Sequence, residues 1–493
     1  MNLSHLHFNK QFIISQNNIK SPFFSHWSNK ALKNKLTLKT HPELLVTQTN
    51  SEANQLTLLG SIINPEKPTD SNQLILNSML SKTNSFDELE SFFYSLGGRW
   101  VLIAQIGQQC RIYHDAAGLK PVFYTQTIDK TNIIASQPAL LEKLGVTKKN
   151  KANIDTFNQY PNSQSWPLGV IPFDNVKQLL PNHFLDLNNL HAIRFWPRES
   201  IKPENINSVA SAITSLLQGS ISALCHRNKC SMSLTGGYDS RMLFSTSIKS
   251  CSNIDFFTVK SSFTPKYDID IPNKIAQKSN INHQFSPLTK GSESDQAIIN
   301  ILSNNVGNMY YDRSMKNIVV YAKMIGSNTH LPGSVSEIGR CYYFPYGKRF
   351  SALNGNSLAR YCGFKANPDA IKSFNKWLST TPNHLGYEVL DLAYWEHRLG
   401  VWGACGLTFR EGLIEQIPPM NNRKFMALCL SVPIKDRIAP HNLIRKIIKT
   451  NKPDLLNFTF NNEQEKSMLN KYPLLKRVNM ILKYRFNRIF NFS

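Results

Sequence analysis

The sequence predicts an α/β protein built in two parts: an α+β domain of layered β-sheets over residues 1–198 and a parallel-sheet domain over residues 199–460, followed by a basic tail, 461–493. Three observations predict this. Up to about residue 198, short alternating runs are joined by Asn, Gly and Pro turns, the grammar of packed sheets. From about residue 205 a long amphipathic run leads into strand and helix in alternation, the βαβ order of a parallel sheet. At Ser231-Met-Ser-Leu-Thr-Gly-Gly-Tyr-Asp-Ser-Arg241 a short strand meets two glycines and then a helix-forming run.

The elements follow in order. Strand signals fall at 56–63, 99–106, 111–114, 122–125 and 184–187. Between the first two, 86–96 has helical spacing, with Phe86, Leu89, Phe93 and Leu96 on one face. In the second part, 209–224 predicts an amphipathic helix with Ile213, Leu216, Leu217, Ile221 and Leu224 together. A strand at 230–234, a strand at 256–259 and a helix at 271–278 follow, and 368–448 is mostly helical in character.

With 493 residues the chain can form several domains, each with its own core. Its formal charge of +23 points to an anionic partner, or to a lysine-rich solvated surface. The basic residues are spread out, and no RNP-like, zinc-finger or homeodomain pattern occurs, so nucleic acid is not the expected partner. The eight cysteines form no Cys-x-x-Cys and no Cys/His cluster, which argues against structural zinc and fits reduced thiols in the cytoplasm. No apolar run approaches the ~20 residues of a membrane helix, and the first residues lack the charged and apolar regions of a signal peptide.

The Gly236-Gly237 turn is the chemically richest segment. Glycines let backbone N–H groups approach a phosphate, and a helix N-terminus adds a favourable dipole. Ser233, Thr235 and Ser240 supply hydroxyls, and the Asp239 carboxylate suits a magnesium ion bridging phosphate oxygens. No Gly-Lys-Ser/Thr follows, so this is not the Walker loop. The alternative is a plain Gly-Gly turn before a helix.

This segment resembles the Ser-Gly-Gly-x-Asp-Ser loop of ATP pyrophosphatases, and three further segments extend the likeness. Asp268, Ala276 and His283 follow the spacing of the second signature of asparagine synthetases. Asp115-Ala-Ala-Gly-Leu-Lys-Pro-Val-Phe-Tyr124, with Ile134-Ala-Ser-Gln after it, resembles their Asp-x-x-Gly-x-Lys-Pro segment. Pro172-Phe-Asp-Asn-Val-Lys-Gln-Leu-Leu-Pro-Asn-His-Phe184, closing on Arg194-Phe-Trp196, resembles the last hairpin of their first domain. Over roughly residues 55–457 the chain thus resembles a divergent member of the asparagine synthetase superfamily. The resemblance implies an Ntn-hydrolase-like, glutaminase-derived domain over 1–198. Over 199–460 it implies an ATP pyrophosphatase domain of the adenine-nucleotide alpha-hydrolase type.

It also marks departures. The glutamine-using members carry a cysteine at position 2; here it is Asn2, and no cysteine precedes Cys110. The glutamine-binding turn becomes Leu59-Gly-Ser-Ile62, and the Gly-Asp-Gly becomes Leu96-Gly-Gly98. The first domain therefore reads as a glutaminase relic kept for packing. The second phosphate loop, Ser-Gly-Glu-Gly-Ser-Asp-Glu in the family, becomes Pro332-Gly-Ser-Val-Ser-Glu-Ile338, with Gly333 at the phosphates and Glu337 in the magnesium position. The alternative for Glu337 is a loop residue with no ligand role. Where the family has Gly-Val-Glu-Ala-Arg-Val-Pro-Phe-Leu-Asp, this chain carries Ile414, Gln416 and Asn421 at the charged positions, which removes aspartate as the implied substrate. The family's late lysine, due near 457–462, is missing.

The implied cofactors are ATP and Mg2+, the implied partners a small-molecule carboxylate and ammonia or an amine, and the implied activity an AMP- and pyrophosphate-forming ligase without glutamine hydrolysis. Thr235, Gly236, Gly237 and Ser240 would cradle pyrophosphate, Asp239, Glu337 and Asp268 would hold the metal, and the backbone at Thr258 and Val259 would meet adenine. The rival readings are a nucleotide-binding pseudoenzyme and an ATP pyrophosphatase acting on RNA. In the tail, Leu474, Leu475, Val478, Ile481, Leu482, Phe486 and Ile489 share a helical face beside Lys476, Arg477, Lys483 and Arg488. Residues 474–490 can lie on an anionic membrane, at the inner face, or pack onto the second domain, the commoner outcome.

Overall fold

The computed structural model describes residues 3–16, 21–158, 165–260, 264, 266–286, 293–310, 312–345, 347, 352–381 and 385–460. Asn2 and the tail, with its expected amphipathic helix, lie outside the described residues.

Sixteen described strands form three sheets. They are β1 (Phe12–Ser15), β2 (Ser28–Ala31), β3 (Thr37–Thr40), β4 (Val46–Asn50), β5 (Gln55–Ile63), β6 (Gly97–Ile106), β7 (Gln109–His114) and β8 (Phe123–Gln126). Then come β9 (Asn132–Ala135), β10 (Lys177–Gln178), β11 (His183–Asp186), β12 (His191–Arg194), β13 (Cys230–Ser233), β14 (Ile254–Thr258), β15 (His283–Phe285) and β16 (Thr329–His330). Two six-stranded sheets, ordered β10-β8-β9-β1-β3-β2 and β12-β11-β7-β6-β5-β4, are antiparallel. The third, β15-β14-β13-β16, is parallel.

Side chains alternate across a strand, so a strand buried on both faces feeds two cores. β6 does this. Val101 and Ile103 join Phe12, Ile14, Val122 and Ile134 between the two antiparallel sheets. Trp100, Leu102 and Ala104 face the helices Asn72–Ser81 and Phe86–Phe92. The second of these starts at a capping box of Ser85 and Glu88 and ends before the expected 96; Phe93 and Leu96 still pack in the same cluster. The outer face of the other sheet, with Ile13, Phe123 and Ile133, meets Leu140 and Leu141 of the helix Pro138–Lys143. That cluster also takes in Phe257, Leu302, Val306 and Phe409. The first part thus keeps cores of its own, and a further core is common to both parts of the chain.

The helix Ile206–Arg227 is long and apolar enough to cross a membrane. Its apolar face is covered instead: Val209, Ile213, Leu217, Ile221 and Leu224 pack with Leu243 and Ile444. A continuous helical stretch then joins the parts. It runs through Val389–Ala393, a wide π-helical section at Tyr394–Gly403, and Ala404–Glu411. Trp395 donates to the Ala116 carbonyl at 2.8 Å, and Gln178 donates to that of Gly400 at 2.8 Å. Glu396 accepts from Arg194, Asn182 and Trp377. Glu411 accepts from Arg99, Lys120 and Gln11, each contact at 2.8–2.9 Å.

Candidate functional site

Parallel strands bring loops together at their carboxyl ends, where such sheets bind ligands. After β13, Leu234 still pairs with the Phe257 carbonyl at 2.8 Å, and the chain then leaves the sheet at Thr235. The turn is held by its own hydroxyls. Thr235 and Ser240 share a 2.8 Å contact between their hydroxyls, and the Gly237 N–H donates to Thr235 Oγ1 at 3.2 Å. The Gly236 N–H donates to Asp268 Oδ1 at 3.2 Å. A carboxylate oxygen thus already sits on one of the loop donors, which shows that this N–H takes an anion. The helix Tyr238–Ser247 starts at Gly237 with no side-chain cap and carries Asp239 in its first turn. Ser233, at the end of β13, pairs with the hydroxyl of half-buried Tyr321.

On the neighbouring strand the Thr258 hydroxyl contacts the Leu234 carbonyl at 2.6 Å and His283 Nε2 at 2.9 Å. Donating to the carbonyl, it accepts from His283, which places the imidazole proton on Nε2. Burial and nearby Lys260 push His283 down to about 4, so it is neutral. The Thr258 carbonyl accepts from the Ser286 N–H at 3.0 Å, so both polar ends of Thr258 serve the sheet edge. Val259, the next residue, is half-buried beside it.

The second loop closes on the first. A side chain at Gly333 would meet Asp239 Cβ at 3.2 Å, so glycine permits the close approach. Val335 has φ +80°, strained for a β-branched residue, at the point where the family pattern has glycine. A short 3-10 turn, Ser336–Arg340, follows. Ser336 donates to Asp239 Oδ1 at 2.5 Å, and Arg340 Nη2 donates to Asp239 Oδ2 at 2.7 Å and Glu337 Oε1 at 3.3 Å. The Tyr394 hydroxyl donates to Glu337 Oε2 at 3.1 Å. Burial disfavours the Arg340 charge, but the two carboxylates outweigh it and hold its pKa above the usual value.

Sequence reasoning missed Arg340. The signal was available: residues three apart eclipse in a 3-10 turn, and Glu337 and Arg340 have that spacing. It also missed Arg241, which is fully buried and gathers the Leu455, Phe458 and Gly236 carbonyls at 2.6–3.2 Å. Phe460 stacks on Tyr238 with ring centroids 3.9 Å apart, under the Arg241 guanidinium. Residues 457–460, where the late lysine was sought, are thereby pinned beside the loop.

The structure thus brings Ser233, Thr235, Gly236, Gly237, Asp239, Ser240, Asp268, Gly333 and Glu337 to one sheet edge, with Thr258 and Val259 adjacent. It does not assemble the expected metal ligands. All four oxygens of Asp239 and Glu337 have protein partners, Asp268 is on Gly236, and no group of three or more His, Cys, Asp or Glu among the described residues could hold a metal. Mg2+ needs octahedral oxygen ligands and keeps several waters; the residues as arranged do not fit it.

Other motif residues serve the fold. Asp115 is fully buried and accepts from the Leu119 and Lys120 amides and from Asn421 at 2.8–2.9 Å. Asn421 also donates to the Gly98 carbonyl at 2.6 Å, so it joins the two parts. Gln416 lies buried alongside His330 of β16, and Ile414 is buried in the shared core. Leu59-Gly-Ser-Ile62 is no turn: it lies inside β5, where Gly60 faces Trp100 and Ile62 faces Gly98. Cys110 is buried between the sheets, where burial pushes its thiol up to about 12.

No model of a known protein family matches the chain, and no curated protein does. Solved structures similar to it include an allosteric regulatory enzyme of purine biosynthesis, at 10% identity and TM-score 0.26, covering 61% of this chain and 74% of that one. Another is glutamine phosphoribosylpyrophosphate amidotransferase from B. subtilis, at 11% identity and TM-score 0.24, covering 60% and 65%. A third is NMN synthetase from Francisella tularensis, at 14% identity and TM-score 0.20, covering 37% and 74%. Likeness at this level assigns no residue a role.

Proposed function

We propose that the chain is an ATP-dependent ligase that adenylates a small-molecule carboxylate and passes the acyl group to ammonia or an amine, without hydrolysing glutamine. One observation carries the reading. The Gly236-Gly237 turn, an uncapped helix start and a second loop meet at the carboxyl edge of a parallel sheet, and one loop N–H already holds a carboxylate oxygen.

In the reaction proposed, a carboxylate oxygen attacks the α-phosphorus and the bond to the β-phosphate bridging oxygen breaks. Pyrophosphate leaves with that electron pair. The amine then attacks the acyl carbon, loses a proton, and expels AMP. The residues of the site have defined tasks in it. Phosphate oxygens displace Asp268 from the Gly236 N–H, and the helix start and the Ser240 hydroxyl add donors to the leaving pyrophosphate, stabilising charge as it develops. Adenine falls to the backbone at Val259, since Thr258 is committed to the sheet. The first domain supplies no nucleophile for glutamine: its Cys110 is buried and held as a thiol.

A second reading, a nucleotide-binding protein without turnover, is favoured by one observation: the loop donors and both loop carboxylates already have internal partners. The experiment is carboxylate-dependent ATP–pyrophosphate exchange over a panel of amino and sugar acids. Exchange with one class of acid is the expected result. ATP binding with no exchange on any acid would select the second reading.

A further inference from the structure

The two acids at the site are held by an arginine where a cation is required. Carboxylates this close repel one another unless a positive charge lies between them. In this chain that charge is built in. Arg340 Nη2 reaches Asp239 at 2.7 Å and Glu337 at 3.3 Å, and the latter pair is fixed by its spacing in one 3-10 turn. Ser336 and Tyr394 take the other oxygen of each acid. The guanidinium is not spent by these contacts, because its Nε is buried with no partner among the described residues. An arginine fork with donors to spare matches phosphate geometry.

We propose that Arg340 does at this site the work of a divalent cation: it binds Asp239 to Glu337 and offers its remaining N–H groups to the polyphosphate, so that nucleotide binding here is independent of metal. The proposal rests on the reading of the loop as a nucleotide site, but its central claim concerns the metal. Arg340 is a positioning residue for the two acids and a binding residue for phosphate.

Two measurements test it. The first is ATP binding to the full chain by calorimetry, with magnesium and with EDTA. Wild type binds equally in both. Arg340→Met loses affinity at least ~10-fold in EDTA, the scale of a charge-assisted hydrogen bond. Arg340→Lys, which keeps the charge, retains EDTA-resistant binding and guards against misfolding as the cause, together with thermal melts of all variants. The second measurement needs no nucleotide: Mn2+ uptake by the nucleotide-free protein, read by electron paramagnetic resonance. Wild type takes up none at the site, whereas Arg340→Met gains a Mn2+ site that Asp239→Asn removes again. Loss of ATP binding in EDTA, or Mn2+ uptake by wild type that Asp239→Asn abolishes, overturns the proposal. If ATP binds under neither condition, the nucleotide reading fails, and the Mn2+ result still decides what Arg340 replaces.

Discussion

Glu411 shows what one buried residue does for the whole chain. Its carboxylate lies between Arg99 and Lys120, all three side chains almost fully buried. Burial alone would raise its pKa; the two cations outweigh it and hold the carboxyl down at about 2. Glu411→Gln leaves two buried cations without a counter-charge. Its expected cost is about 3–5 kcal/mol, the scale for breaking a buried ion pair, read as a shift in urea midpoint; a loss below ~1 kcal/mol would show that the cluster is not structural. Residues of this kind divide sharply in how far sequence reveals them. That Gly236, Gly237, Asp239 and Ser240 share one turn was legible because they stand at nearly consecutive positions. Lys120 was quoted only as part of a motif, since its partner stands 291 residues away. The metal role given to Glu337 depended on an aligned position, and nothing at that position announces Arg340 as its partner except a three-residue spacing.

At the scale of elements, the wide helix 389–411 carries the sharpest test. A side chain at Gly400 would lie 2.4 Å from Pro181 Cδ, whereas one at Gly403 would meet Leu119 Cδ2 at an ordinary 3.5 Å. Gly400→Ala should therefore push the helix off the first domain and cost about 1–3 kcal/mol, as overpacking does. Gly403→Ala should be neutral or gain up to ~1 kcal/mol in helix propensity. Equal melting temperatures for the two variants would refute this account of the contact. The helix was legible only as helical character over a long span, because a π-helical section has no simple apolar period. Long strands such as β5 and β6 were read nearly to the residue, since each is a largely apolar run over nine or ten positions. The short strands β1 to β3 were missed, although the equally short β8 and β11 were read.

The whole molecule carries a pH dependence. His114, His330 and His397 are almost completely buried, and burial pushes them down to about 3, 3 and 4. Each contacts one carbonyl, those of Leu180, Ser231 and Trp166 respectively. A second proton on His114 or His397 would be a buried N–H with no partner, while the other nitrogen of His330 meets the Tyr321 hydroxyl. Well above pH 6.5 neither folded nor unfolded chain protonates them. As the pH drops through 6.5 the unfolded chain binds protons that the folded chain refuses, so stability falls by up to ~1.4 kcal/mol per pH unit for each histidine. Urea midpoints at pH 7.5, 6.5 and 5.5 should fall across both steps, the second drop being roughly three times the first; a flat second step would disprove it. The carboxylates that are held down contribute only below about pH 4.5, whereas buried Asp391, pushed up to about 6, gains a proton in the folded chain within the window and offsets part of the fall. The two-part plan was legible at this scale because the local grammar changes near residue 205. The shared core was not, because a core that takes in both Ile13 and Phe409 leaves no local trace. Those distant contacts also set a clock. A ribosome adding ~5–20 residues per second needs roughly 15–60 s to travel the 291 residues from Lys120 to Glu411. For that time the nascent first half carries two cations, Arg99 and Lys120, with no carboxylate to close on.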